Sequence, residues 1–451
     1  MNIVVIGGGW AGCAAAMQAA KRGGSVTLLE RTDMLLGTGL VGGIFRNNGR
    51  FTAAEEAIAL GGGEMFGAMD ANAVHRDIAF PGHAHASLYD VTAMEPVVRK
   101  MLRGAGVEIH FTTRITDVEM EGKRIHAVVT GKGSEAVRYA GDVFIDTTGT
   151  AGVPNSCNKY GNGCSMCILR CHTFGIRVSV AARAGAKEMV GRKNDRYGAM
   201  SGACILMKHS LAPEIIQLLE RDGVAMVPLP DSPENAVAKL EGKCCQQYAL
   251  PEYARNLILL DTGHVKLMTT NFPIEQLRQV AGFENARYED PISGGIGNSI
   301  RYVGMTPRDN ALRADGIDNL FVAGEKAGLL VGHTEAVVTG VLAGYNAAQL
   351  AVGEDLLIVP ESLAIGDAIA HVRESMQTEE GLGSKFTFSG VGYFQRMKQR
   401  GLYTTEVDAI RNRVRAAGLS DVFSAGNCSV TPLVSGLQLS SAASARVAGR
   451  L

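Results

Sequence analysis

The chain has 451 residues, enough for two or three domains at roughly 150 residues each, or for one large domain carrying an insertion. Its 44 Lys+Arg balance 45 Asp+Glu, which excludes the basic excess of a chain that holds nucleic acid by charge alone, and 46% hydrophobic with 20% charged residues excludes disorder and a coiled coil. Glycine is in excess, with 56 residues against a usual share of about 7%, and points to tight turns and close backbone approach to a ligand.

Asn2 to Ile6 is a short β-branched run, Ala11 to Arg22 has helical composition and a Gly-Gly stop, and Ser25 to Leu29 is a second apolar strand closed by Glu30. Such a strand, turn, helix, strand unit gives two parallel strands. Between its first two elements Gly7-Gly8-Gly9-Trp10-Ala11-Gly12 has the G-x-G-x-x-G spacing of a dinucleotide turn. Gly7 permits the turn, Gly9 lets backbone N–H groups approach a pyrophosphate, and Gly12 lets helix and strand pack closely. Glu30 is placed to accept a ribose hydroxyl. Further strands are expected at Val107 to Phe111, Arg124 to Thr130, Val143 to Asp146 and Asn319 to Ala323. A helix is expected over Glu335 to Leu350, and glycine turns follow the strands at Thr148-Gly149 and Gly324-Glu325. No second G-x-G-x-x-G follows a strand in residues 151 to 300, so the sequence advertises no internal NAD(P)H domain. Beyond residue 352 come a linker and helix at Pro360 to Arg373 and two locally basic stretches, Phe394 to Gly401 and Ile410 to Gly418, read as solvated helix faces.

Nine cysteines are too few for a disulfide scaffold, and the apolar opening lacks the positive leader of a secretory signal. The expected compartment is therefore the cytoplasm, with no membrane span. Four cysteines fall in one window, Cys157, Cys164, Cys167 and Cys171, spaced C-x6-C-x2-C-x3-C. Four thiolates suit a [4Fe–4S] cluster, Cys164 and Cys167 alone suit a redox dithiol, and a four-cysteine zinc or unligated thiols stay open.

The segments IVVIGGGWAGCAAA, LLER, FIDTTG, NLFVAGE and GHTEAVVTGVLAGYNAA, in that order, resemble FAD-dependent oxidoreductases of the glutathione-reductase structural type. They are similar in particular to the branch holding GidA-like and folate-dependent tRNA-modifying flavoproteins. The resemblance implies an α/β fold: a Rossmann-like FAD-binding domain (1–155 and 301–352), an inserted α+β substrate or cap domain (156–300) beginning with the Cys-rich loop, and a small, mainly helical C-terminal part (353–451). It also implies roles. Gly7, Gly9, Trp10, Ala11, Gly12, Glu30 and Arg31 would hold the ADP half of FAD, with Thr148 and Gly149 beside it. Gly324 and Glu325 would sit at the pyrophosphate and ribityl chain, Gly42 and Gly43 beneath the isoalloxazine, and His333, Thr334 and Glu335 at its pyrimidine edge.

The catalytic candidates are His83 and His85, which with Tyr89 form a polar cluster for proton supply, Arg301 for an anionic group, and His333. The leading expectation is a flavoenzyme passing a hydride or electron pair between a small organic substrate and FAD, with a cluster or dithiol relay to an external electron-transfer protein. Nucleic acid is not expected as a partner, and a homo-oligomer is allowed. The alternative is a folate- and FAD-dependent RNA-modifying flavoprotein. The cysteines of the tRNA-modifying relatives stand elsewhere, and this chain has none between Cys13 and Cys157.

Overall fold

The computed structural model describes residues 1–131, 133–149, 178–193, 196–197, 199–229, 246–269, 271–289, 295, 298–301 and 304–424. Its centre is a parallel sheet of five strands: β1 (Asn2–Ile6), β2 (Ser25–Leu29), β3 (Glu108–His110), β4 (Val143–Asp146) and β5 (Leu320–Val322), in the order β3-β2-β1-β4-β5. Helix α1 (Trp10–Lys21) crosses from β1 to β2, and α2 (His333–Val352) follows β5. These strands read as continuous apolar runs because both faces are covered, and Val5, Leu28, Phe144 and Phe321 are fully buried. The strand order reverses beside β1, so the crevice at the carboxyl ends of β1 and β4 is where a doubly wound sheet takes its ligand.

Helices α1 and α2 lie against each other along a seam of small residues. A Cβ on Gly340 would lie 2.3 Å from the Ala11 carbonyl oxygen, and one on Gly344 would lie 2.3 Å from that of Ala15. Only glycine at these positions lets α2 settle on α1 at this depth. The seam thereby fixes where the N-termini of both helices point.

Between β3 and β4 stands an antiparallel sheet of Ile115–Glu121, Arg124–Thr130 and Val137–Ala140. Between β4 and β5 the chain forms a four-stranded antiparallel sheet from Cys204–Leu206, Val224–Pro228, Asn256–Thr262 and His264–Leu267. One face of this second sheet (Leu257, Leu259, Val265, Leu267) buries helix Pro213–Asp222 through Ile215 and Leu219. The other face (Ile258, Leu260) packs on the hairpin Ala73–Phe80/His83–Tyr89 through Phe80, Ala86 and Leu88. The alternation of the strand sequence thus holds a helix on one side and ties the insertion to the nucleotide-binding unit on the other.

Helices Ala364–Ser375, Val391–Gln399 and Val407–Ala416 add Ile369, Met397 and Val414 to the same core as the parallel sheet. Their anchor is Glu56, which is fully buried and accepts the N–H groups of Ala364 and Ile365 at 2.9 and 3.0 Å, capping the first of these helices. Burial outweighs these hydrogen bonds and the nearby Arg413 charge, pushing its carboxyl up to about 7 from 4.5. Between those two values the folded chain keeps a proton that the unfolded chain releases. Stability from this group is full below the unfolded value, falls as pH rises and levels above about 7, a loss of roughly 3 kcal/mol at most. Glu56→Gln is expected to flatten that slope in urea melts taken across the interval.

No helix among the described residues is long and apolar enough to cross a membrane.

Candidate functional site

At the end of β1 the chain turns through Gly7 at φ 104°, a conformation open to glycine. A Cβ on Gly7 would lie 2.6 Å from the Thr147 carbonyl oxygen, and one on Gly12 only 1.8 Å from the Gly7 oxygen. Gly9 is different: a Cβ there meets no protein atom within 4 Å, because the residue faces an open groove. Gly9 is the N-cap of α1, supplies no side-chain cap, and is followed by a first turn without acidic residues. Uncapped N–H groups and the positive end of a helix dipole therefore face the groove, the arrangement that holds a pyrophosphate.

Glu30 closes one end. Its Oε2 accepts the Gly8 N–H at 2.7 Å and its Oε1 accepts the N–H and hydroxyl of Thr32 at 2.8 and 2.9 Å, so the carboxylate is fixed in place at the groove wall with lone pairs to spare. Across from Gly7, Thr147 donates its hydroxyl to the Gly7 oxygen at 2.7 Å, and Thr148 is held by Asp146 at 2.7 Å. Thr148, Gly149, Gly324 and Glu325 all line the groove, as do Trp10, Ala11 and Arg31. The Gly324 N–H donates to the Thr339 hydroxyl at 2.9 Å, which ties this turn to α2.

The far end is built from the start of α2. Gly332 is its N-cap, at φ 144° and without a side-chain cap. His333 lines the groove, with its Nδ1 3.3 Å from the Tyr89 hydroxyl and its ring pressed against Gly42, where a Cβ would lie 1.5 Å from Cε1. Tyr89 is fully buried, and that burial raises its phenol to about 12. It is a fixed hydrogen-bonding support for His333 near neutral pH. Lys266, reaching in from the inserted sheet, donates to the Gly42 carbonyl oxygen at 2.6 Å and lines the same end.

Gly12 serves the helix–strand packing expected of it. Three other expected flavin contacts do not line the groove. Gly43, at φ 82°, lies against Thr262, where a Cβ would come within 2.5 Å of its methyl. Thr334 is buried in α2. Glu335 is fully buried and pairs with Arg50, whose Nε lies 3.1 Å from Oε1, and it also accepts the Thr387 hydroxyl and the Phe388 N–H at 2.5 and 2.8 Å. The Glu335 carboxylate would repel negative charge at the pyrimidine edge. Here it is neutralised by a guanidinium and turned from the groove.

The expected His83, His85, Tyr89 cluster is divided. His85 is half-exposed and bound to Asp77 at 2.9 Å, His83 is buried against Phe80 and Tyr248, and Tyr89 belongs with His333. Arg301 ends a strand, Asn298–Arg301, paired with Ala199–Gly202. Cys157, Cys164, Cys167 and Cys171 lie outside the described residues. Among the described residues no group of His, Cys, Asp and Glu is placed to hold a metal ion. Arg50 and Lys266 went unnoticed in the sequence. The only signal for Arg50 is its place in RNNGR, shortly after Gly42 and Gly43.

The groove fits an extended dinucleotide on the chain's own features: open space over Gly9, two uncapped helix N-termini, and a fixed carboxylate for a ribose. Such a site on this fold defines an FAD-binding flavoprotein. Comparison with known proteins agrees. Residues 2–157 match the family model described as FAD dependent oxidoreductase, and residues 246–355 match that of glucose inhibited division protein A. Over these two segments the chain is similar to GidA-like FAD-dependent oxidoreductases. The structure of GidA from Aquifex aeolicus in its form II crystal covers 94% of this chain and 74% of that one at 17% identity, with a TM-score of 0.66. The form I crystal covers 94% and 77%, with a TM-score of 0.62. A curated relative, methylenetetrahydrofolate–tRNA-(uracil-5-)-methyltransferase TrmFO of Streptococcus sanguinis strain SK36, is 34% identical over 90 residues. That match spans 20% of this chain and 19% of the relative.

Proposed function

We propose that this flavoenzyme transfers a hydride or electron pair between a small organic substrate and FAD lying along the groove from Glu30 to His333. The observation that carries the reading is the bare Gly9 N-cap, open on a groove that the second bare N-cap, Gly332, also lines. FAD would supply the redox chemistry, while the protein binds, orients and shields it. Gly7, Gly9, Gly324 and Glu325 would hold the pyrophosphate and ribityl chain, and Glu30 with Arg31 the adenosine end. At the pyrimidine edge the N–H groups of α2, His333 and Lys266 offer donors and positive charge to a ring that gains electrons. The inserted sheet brings Lys266 to this end.

The cysteine window supports an electron relay by its spacing alone. Its four thiolates would hold a [4Fe–4S] cluster, or Cys164 and Cys167 would form a dithiol, passing electrons to an external protein. Iron analysis of protein purified without oxygen tests this. About four irons per chain are expected for the cluster, and iron-free protein with full flavin and activity rules it out.

The second reading, a folate-dependent RNA-modifying flavoprotein, is favoured by the name of the S. sanguinis relative. It is weakened by a balanced net charge of −1 and by basic side chains already paired, such as Arg396 and Arg400 on Asp367 and Arg413 on Glu56. It requires RNA binding that weakens steeply with salt. Titration of tRNA at low salt decides between the two: no binding favours the small-molecule oxidoreductase.

A further inference from the structure

Next to the groove, residues 46–50 make a strained turn. Arg46 and Asn48 both sit in the left-handed region, at φ 60° and 54°. Side chains hold this strain at every step. Arg46 donates to Asp70 at 2.7 and 2.6 Å and to Glu55 at 2.6 Å. Asn48 donates to the carbonyl oxygens of Gly82 and Ser389 at 2.9 and 3.2 Å, and accepts the Ala84 N–H at 3.0 Å. A turn so over-determined fixes the two residues it presents, Asn47 and Arg50.

Their contacts assign a tautomer. The Arg50 Nη1 donates to Asn47 Oδ1 at 3.3 Å, which leaves the Asn47 amide nitrogen 2.8 Å from His83 Nδ1. An amide nitrogen only donates, so Nδ1 accepts and the proton of the neutral ring sits on Nε2. Burial, aided by the Arg50 charge, brings the imidazole down to about 3, so the ring is neutral across the physiological range. Its Nε2 is buried without a hydrogen-bond partner. A buried N–H without an acceptor is a standing cost that a ligand oxygen would remove. The only polar atom left unmatched on this ring belongs to a side chain that an entire strained turn serves to hold.

Tyr248 connects this ring to the groove. Its ring lies over the imidazole at 4.9 Å between centroids, and Tyr248 lines the groove, as do Arg50 and Lys266. Arg50 is already balanced by Glu335, so it is the Lys266 ammonium in the same groove that favours an anionic oxygen. We propose that His83 is a substrate-recognition residue, offering Nε2–H to a carboxylate oxygen of the organic substrate when the Tyr248 ring turns aside. This rests on the flavoenzyme reading and deepens it by naming a carboxylic acid as the substrate class. It also replaces the expectation that His83 supplies a proton: a ring held neutral binds and orients.

The test uses the FAD-loaded full chain with benzoate as the probe, followed by the shift in the flavin absorbance. Wild type is expected to bind benzoate with an affinity that is flat from about pH 5.5 to 8, since neither partner titrates there. His83→Phe should weaken binding roughly tenfold or more, while His83→Gln, which keeps an N–H donor, should stay within about threefold of wild type. Should the phenylalanine variant fail to fold, the glutamine variant and the pH profile still decide. Unchanged affinity in His83→Phe, affinity falling as pH rises through the ordinary histidine range, or no benzoate shift in flavin-loaded wild type would each overturn the proposal. Wild type that takes up no flavin is a separate failure, seen before benzoate is added, and removes the flavoenzyme reading itself.

Discussion

Replacing Gly12 by alanine will give a destabilised protein that keeps little FAD, whereas replacing Gly9 by alanine will give a stable protein that binds FAD weakly. The two glycines belong to one fingerprint, and the structure separates their jobs. A methyl on Gly12 would drive into the Thr147 hydroxyl at 2.6 Å and, at 1.8 Å, into the Gly7 backbone oxygen, which cannot give way without moving β1 from α1. Overpacking of this kind costs roughly 1–3 kcal/mol or more. A methyl on Gly9 meets no protein atom, and its φ of −68° suits any residue, so folding is unaffected. Its methyl instead occupies the space the pyrophosphate needs for its approach to the helix N-terminus, and affinity should fall at least about tenfold. Urea midpoints and the flavin retained after gel filtration check both halves. Equal stability in the two variants would contradict the assignment.

The second large effect concerns the buried pair behind the groove. Glu335→Ala takes from the buried Arg50 the carboxylate it pairs with, while the contacts to Asn47 and the Thr387 hydroxyl remain. Removing one partner of a buried ion pair costs about 3–5 kcal/mol. The double variant Arg50→Met/Glu335→Met removes both charges and should recover most of that loss, because the residual cost is packing alone. Denaturant melts of the single and double variants measure it. A single variant within about 1 kcal/mol of wild type would show that the pair carries no such weight.

The elements around β1 were legible because local signals agree there: an apolar β-branched run, glycines at fixed offsets, then a helical stretch with a Gly-Gly stop. Strands Arg124–Thr130 and Val143–Asp146 lie where their alternation and apolarity place them. The far end of the site was less legible, since its contacts are made between residues distant in sequence. Glu335 looked like a flavin neighbour because it stands in the first turn of α2. It is Arg50, 285 positions earlier, that draws its carboxylate away. Lys266 sits on a strand whose sequence says only that one face is apolar, and its reach to Gly42 depends on how the inserted sheet docks on the hairpin. His83 and His85 share one strand and one spacing, yet one is buried and neutral and the other pairs with Asp77 near solvent. The bulges between Ala73–Phe80 and His83–Tyr89 shift the register there, and alternation alone does not reveal them.

Flavin content measures directly whether a dinucleotide lies in the groove over Gly9. Purified protein, reconstituted with FAD and passed through gel filtration, should retain about one FAD per chain. ADP should compete with it, while flavin mononucleotide, which lacks the adenosine end that Glu30 and Arg31 serve, should bind far more weakly. A chain that stays colourless after reconstitution, or that takes flavin mononucleotide as readily as FAD, would contradict the account.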